Sequence, residues 1–301
     1  MRLVSFNDGG HWVAGVLVDD VVVPATEVAA DAGLAGDHTT VKGVIVHTQD
    51  ELLRLEAAAR SAASERGRRR EELTLGPPVP DAQKILCVGA NYQAHIEEAR
   101  EIPGAPDGKQ AVPIVFSKFA TCLVGDRAPV AVPSTDDHLD FESELALVIG
   151  ARAWHVRAED ALSHVAGYMP FNDMSARQLQ IQTPQWTMGK GFDRSGPCGP
   201  ALVTADEIDD PGNLMVEGRL NGELLQHSST SDMITGIADL IAYISSEITL
   251  NPGDIISTGT PSGVGVGREP KLWLKPGDVF EVTIEGLGTL TTPIVPASEQ
   301  P

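Results

Sequence analysis

From about residue 76 to its end, the chain consists of apolar segments of strand length separated by Gly and Pro, and this pattern limits what it can fold into. Only four stretches there have helical length and spacing, around 93–100, 158–166, 174–182 and 233–246. Strand signals that do not alternate regularly with helices argue against a doubly wound parallel sheet. They predict a mainly β fold with some helix, in the α+β class. The first 75 residues read as short strands, RLVSF, HWVAGVLV and DVVVPA, divided by Asn-Asp-Gly-Gly and Asp-Asp turn signals and followed by a helix over about 48–64. Arg66, Arg68, Arg69 and Arg70 then lead into the Pro-rich TLGPPVPD, which has the character of a linker. Two domains are predicted, a small N-terminal accessory domain over 1–75 and a larger domain over 76–301 that carries the chemistry.

Charge narrows the partners. With 42 acidic against 22 basic side chains the formal net charge is -20. Such a surface is not drawn to a phosphate backbone or an anionic membrane, so neither nucleic acid nor membrane is expected as a partner. No window approaches the roughly 20 apolar residues of a membrane helix. The opening MRLVSFNDGGHWVAG lacks a long apolar run and a cleavage site, so the expected location is cytoplasmic. Cys87, Cys122 and Cys198 are odd in number and far apart, which predicts reduced structural thiols rather than disulfides or a zinc site.

In LDFESELALVIG, the residues Leu139, Phe141, Leu145, Leu147 and Ile149 take the odd positions while Asp140, Glu142 and Glu144 take even ones. Successive strand residues point to opposite faces, so the three acids share a face, with neighbours two apart separated by about 7 Å. One cation would be in reach of both Glu142 and Glu144 and would relieve their repulsion if that face is buried. A half-exposed strand with its polar face in water fits the same alternation. Asp173, in GYMPFNDMSARQLQ, lies in a turn-like FND ahead of a helix, where it reads as a further carboxylate or as an N-terminal cap. An all-carboxylate set with no His or Cys at ligand spacing implies a hard ion, Mg²⁺ or Mn²⁺, and disfavours zinc.

Other groups offer acid-base and anion-binding chemistry. GANYQAHIEEA predicts a short helix on which His95 and Glu98, three apart, face the same side, either as a base with its orienting carboxylate or as surface neighbours. Lys190, in TMGKGFD among glycines and aromatics, suits a carboxylate or a developing enolate, although an ordinary exposed lysine reads the same. Arg177 suits a distal substrate charge or a brace for an acidic neighbour. The run GTPSGVG lacks the Gly-Lys-Ser/Thr of a phosphate loop, yet its backbone amides and the Thr260 hydroxyl suit a carboxylate. Gln226 and Thr230 follow an Asn-Gly hairpin signal and are left outside the site. REIPGAPDGKQAVP has the composition of a loop that closes over a site, or of a plain surface loop.

Five blocks, DFESELALVIG, FNDMSARQLQ, QWTMGKGFDRSGPCGP, LNGELLQHSSTSDMI and NPGDIISTGTPSGVG, resemble in order and spacing the signature blocks of the fumarylacetoacetate hydrolase superfamily. The resemblance runs from about residue 84 to 292. It implies a mixed β-sandwich roll, usually a homodimer, with a divalent metal on Glu142, Glu144 and Asp173 and with His95 and Glu98 activating water. Lys190 is implied as a catalytic cation, and Arg177 and Thr260 are taken as substrate-binding. Fumarylacetoacetases carry a further aspartate seven residues before the catalytic histidine; that place is Val88 here, which argues against fumarylacetoacetate as substrate. The chain is more similar to the branch of acylpyruvate hydrolases, oxaloacetate decarboxylases and dioate isomerases, although where members often read SARD it has Gln178. The implied partner is a small 2-oxo acid. The expected reaction is hydrolysis of a C–C bond in an acylpyruvate-type 2,4-dioxo acid through a pyruvate enolate at the metal. Decarboxylation of oxaloacetate and isomerisation of an unsaturated dioate are the alternatives at the same site, and a catalytically idle metal- or 2-oxo-acid-binding protein is the alternative of another class.

Overall fold

The strand predicted from the alternation in LDFESELALVIG, Ser143–Ile149, is buried at every position and lies inside a ten-stranded mixed sheet. The computed structural model describes residues 1–100 and 111–299; the predicted closing loop falls mostly on 101–110, outside the described residues. In spatial order the sheet runs Arg68–Arg69, Val21–Pro24, His11–Val18, Arg2–Asp8, Leu202–Thr204, Val165–Asn172, Ser143–Ile149, Ile255–Ser257, Ile85–Gly89 and Ile114–Lys118. All pairings are antiparallel except that of Ile255–Ser257 with Ile85–Gly89. A second sheet has five strands in the order Glu223–Ser229, Met215–Leu220, Val279–Ile284, Gly288–Val295 and Val130–Ala131.

The odd face of Ser143–Ile149 joins the two sheets. Leu145, Leu147 and Ile149 share one core with Val216, Phe280, Val282 and Ile284 of the second sheet. Just before the strand, the Phe141 ring stacks on Phe280 at 4.2 Å between centroids and 22° between planes. On the even face, Ala146 and Val148 belong to a second core with Leu55 and Ala59 of the helix Gln49–Arg66. A strand covered on both sides has no polar face in water, which settles one choice the alternation left open: Glu142 and Glu144 are 5% and 1% exposed.

The N-terminal residues extend the same ten-stranded sheet, with Arg2 opposite Val203 and Leu3 opposite Leu202. Their helix starts at Thr48, whose side chain accepts from Glu51 N while the Glu51 carboxylate accepts from Thr48 N, a reciprocal cap. Two predicted helices are shorter than expected because strand pairing claims their ends. The 158–166 segment is helical only over Ala158–Ala161 and Leu162–His164, since Val165 begins a strand. The 174–182 helix starts at Arg177, because Ser175–Ala176 pairs with Leu139–Asp140. The three cysteines are free and buried, and no helix among the described residues is long and apolar enough to cross a membrane.

Because Phe280 is fully buried between the sheets, Phe280→Ala is expected to lower unfolding free energy by about 3–5 kcal/mol, read from chemical denaturation. A loss under about 1 kcal/mol would show that the contact between the sheets does not depend on this stack.

Candidate active site

Strand register assembles the acids. Ser143 lies opposite Asn172 and Glu144 opposite Phe171, so Asp173, one residue beyond its strand, comes level with Glu142 and donates its backbone N–H to the Glu142 carbonyl at 3.0 Å. The Asn172 side chain accepts from Glu142 N at 3.1 Å and fixes the same corner. Glu142, Glu144 and Asp173 each offer an oxygen within 4.8 Å of the others, and all three are buried. Asp140, expected on the same strand face, lies instead in a separate strand, Leu139–Asp140, that pairs with Ser175–Ala176, and it stands outside the cluster. Its carboxylate accepts from Arg177 Nε at 2.8 Å, Gly265 N at 2.7 Å and Val266 N at 2.9 Å.

Two buried lysines offset the acids unevenly. Lys190 Nζ donates to Glu142 at 2.8 Å and to Asp173 at 2.7 Å, and Lys118 Nζ donates to Asp173 at 2.6 Å and to the Lys190 carbonyl. The Arg177 guanidinium reaches Glu142 at 2.7 Å. Burial by itself would raise the Glu142 carboxyl, but Lys190, Arg177 and His95 outweigh it and hold the group well below the usual carboxylate range. Burial opposes the Lys190 charge as well, yet Asp173 and Glu142 lift its pKa above the ordinary value. For Glu144 the balance is reversed. Burial, then Asp173 and Glu142, push its carboxyl well above the usual range, against the hydrogen bond from Ser257 Oγ and the charge of Lys190. Three buried carboxylates, one of them without a cationic contact among the described residues, form a hard-oxygen donor set that fits a divalent ion.

Local packing places the cations. Lys190 ends the helix Thr187–Lys190, which lies so close to Arg177–Ile181 that a Cβ on Gly189 would come within 2.5 Å of the Gln180 backbone. The turn after Ile255–Ser257 places the carboxylates. Gly263, at φ +104°, donates its N–H to Glu98 at 2.8 Å, as Gly259 does to Glu144 and as Gly265 and Val266 do to Asp140. The amides of GTPSGVG therefore do hold carboxylates, and those carboxylates are the protein's own.

His95 and Glu98, on the helix Gln93–Glu98, are joined through Nδ1 and Oε1 at 2.8 Å. A cavity of about 380 Å³ brings His95 together with Glu142, Arg177, Lys190 and Thr260, and Phe116 and Trp186 form part of its apolar wall. The Thr260 hydroxyl already serves the scaffold, donating to the Ser143 carbonyl at 3.0 Å and accepting from Gln226 Nε2 at 2.9 Å. A larger cleft of about 1070 Å³, near Arg70 and Asp126, contains none of these groups.

One cavity lined by His95 of the dyad, by Glu142 of the buried acid cluster and by the cations Arg177 and Lys190 suits the chemistry of a small organic acid. The family model for the fumarylacetoacetate hydrolase C-terminal region matches residues 84–295, which hold six strands of the ten-stranded sheet and all five of the second sheet. The chain belongs to the fumarylacetoacetate hydrolase family. It is 44% identical over 229 residues, 75% of this chain and 70% of the relative, to the mitochondrial oxaloacetate tautomerase of Xenopus laevis. The solved fumarylacetoacetate hydrolase of Exiguobacterium antarcticum superposes with a TM-score of 0.80 at 32% identity, covering 98% of this chain and 99% of that one. The maleylpyruvate hydrolase of a Sphingobium species does so with 0.78 at 29% identity, covering 99% and 100%. As a member of this family the chain is an enzyme, and the catalytically idle reading is set aside.

Sequence reasoning missed several groups that shape this family member's site. Lys118 closes IVFSK, where a single terminal charge reads as a strand end. Gln226 proves to be fully buried, bracing Ser143 N on one side and Thr260 and Pro261 on the other. Thr230 instead holds Leu214 N and the Pro211 carbonyl. Lys118→Met, which strips Asp173 of one buried partner, is expected to cost about 3–5 kcal/mol of stability in metal-free protein. Urea denaturation with and without added Mg²⁺ measures it; unchanged stability in both would show that Lys118 does not offset the Asp173 charge.

Proposed function

We propose that the chain enolises a small 2-oxo dioate of the oxaloacetate class, moving a proton between the carbon next to the 2-oxo group and its oxygen. The observation that carries this reading is His95, held by Glu98, lining the same cavity as Lys190 and Glu142. The identity to an oxaloacetate tautomerase supports the choice of substrate class. Glu142, Glu144 and Asp173 are the proposed ligands of Mg²⁺ or Mn²⁺, which would supply Lewis-acid chemistry when bound.

The protein's own groups account for the proton. With Nδ1–H donated to Glu98, Nε2 of His95 is the basic nitrogen, and the carboxylate fixes the ring and steadies the charge it gains. His95 takes the proton from C3; the electron pair moves through the C2–C3 bond to the 2-oxo oxygen, and protonation of that oxygen gives the enol. Lys190 commits two of its three donors to Glu142 and Asp173, leaving the third for the substrate carboxylate or the oxyanion. The buried Arg177 braces Glu142 against Asp140 at the cavity wall.

A second reading, hydrolysis of an acylpyruvate-type substrate, is supported by the full-length match to a maleylpyruvate hydrolase. There His95 would deprotonate water for attack on the distal carbonyl, and the C–C bond would break to leave the enolate of pyruvate.

Product analysis by NMR in D₂O, on metal-stripped protein reloaded with Mg²⁺ or Mn²⁺, separates the two. Accelerated exchange at C3 of oxaloacetate and interconversion of its enol are expected, and acetate plus pyruvate from acetylpyruvate would instead establish hydrolysis. Neither product would remove both reactions. His95→Ala should reduce the rate of whichever reaction is seen at least about 100-fold while leaving metal affinity intact; a rate equal to wild type would take the dyad out of the mechanism. Glu142→Ala and Asp173→Ala should each weaken metal binding at least about tenfold by calorimetric titration, and unchanged titrations would overturn the ligand set.

A further inference from the structure

Five basic side chains line the cavity: His95, His138, Arg177, Lys190 and Lys271. Four of them are paired with protein carboxylates: His95 with Glu98 at 2.8 Å, His138 with Asp137 at 2.7 Å, Arg177 with Asp140 at 2.8 Å, and Lys190 with Glu142 and Asp173. Lys271 has no carboxylate within 4 Å among the described residues. Its Nζ donates to the Val266 carbonyl at 2.9 Å, which leaves two of its three donors without a protein partner there.

Lys271 is exposed at the cavity wall, but its backbone is tied down. Leu272 N donates to the Gly265 carbonyl at 3.0 Å and Leu274 N to the Leu139 carbonyl at 2.8 Å, so the segment is sewn to the turn and strand that hold Asp140. Next to it, Trp273 packs edge-on against the His138 ring at 4.7 Å, and Ile181 and Val266 add apolar surface. Along this wall Lys271 is the ammonium that no carboxylate among the described residues already holds, so a substrate carboxylate there meets a full positive charge.

We infer that Lys271 is a specificity-determining residue that receives the second carboxylate of the substrate, so that the cavity takes 2-oxo dioates in preference to 2-oxo monoacids. This rests on the reading of the cavity as a 2-oxo-acid site, but not on which reaction follows. The exposed position limits the preference to about fivefold, the size expected of a screened ion pair.

The test is calorimetric binding to Mg²⁺-loaded protein of oxaloacetate, 2-oxoglutarate and 2-oxoadipate, each against the monoacid of equal chain length. Wild type is expected to favour at least one dioate about fivefold. Lys271→Met and Lys271→Gln should abolish that preference while leaving monoacid affinity unchanged, and Lys271→Arg should restore it. No preference in wild type, or a preference that survives both charge-free variants, overturns the inference. A preference that depends on Lys271 in a protein that does not turn over oxaloacetate would refute the proposed reaction and leave the inference standing.

Discussion

Three carboxylates held within 4.8 Å of one another out of water are the constraint that the rest of the site answers. Each buried ion costs several kcal/mol unless it is paired and hydrogen-bonded. The fold meets this cost at one end only. Glu142 has Lys190 and Arg177, and Asp173 has Lys190 and Lys118, while Glu144 has a serine hydroxyl and one backbone amide. Dipoles of that kind do not neutralise a charge, so Glu144 is satisfied by a proton or by an ion from outside. This asymmetry leaves the cluster receptive to a divalent cation, whereas a third lysine would have closed it as an internal salt bridge.

The turn over residues 259–266 makes the acid cluster and the dyad one object. Its amides reach Glu144, Glu98 and Asp140, which come from different elements and do different work. Gln226 clamps the base of the turn to Ser143, and Arg177 links Asp140 to Glu142. The position of His95 relative to the cluster is therefore coupled through amides of one turn that hold the carboxylates of Glu98, Glu144 and Asp140. Preorganisation of this kind lets a proton move without rearrangement of the surrounding dipoles.

How much of this the sequence discloses depends on the range of the interaction. Alternation within LDFESELALVIG is local and states that three acids share a face; the company of Asp173 depends on register with a strand some thirty residues away. The five ordered blocks supplied that company by resemblance, not by geometry. Arg177, readable as a substrate group or as a brace, is seen bridging two acids, and no local pattern distinguishes those roles. Lys118 was illegible because its partner is Asp173, just past the end of a strand four places away across the sheet. Two of the predicted helices came out shorter for the same reason, since helix propensity at 165 and 175 gave way to pairing with distant strands.

Proton transfer and hydrolysis make different demands on the same dyad. Both need a base held by a carboxylate, but hydrolysis also needs a water between that base and the substrate. The side chains of His95 and Glu98 retain 15% and 16% of their exposure, so solvent reaches the pair among the described residues, whereas the acid cluster is buried and meets the cavity only at Glu142. On the proposed reading, a short dioate places its acidic carbon against His95 and takes the place of that water, and the enolate that forms has no leaving group to expel. A 2,4-dioxo acid presents a carbonyl one carbon further on, where water can stand between it and the base. The partition between the two reactions then lies in the substrate's length and second charge, with the protein's own arrangement unchanged.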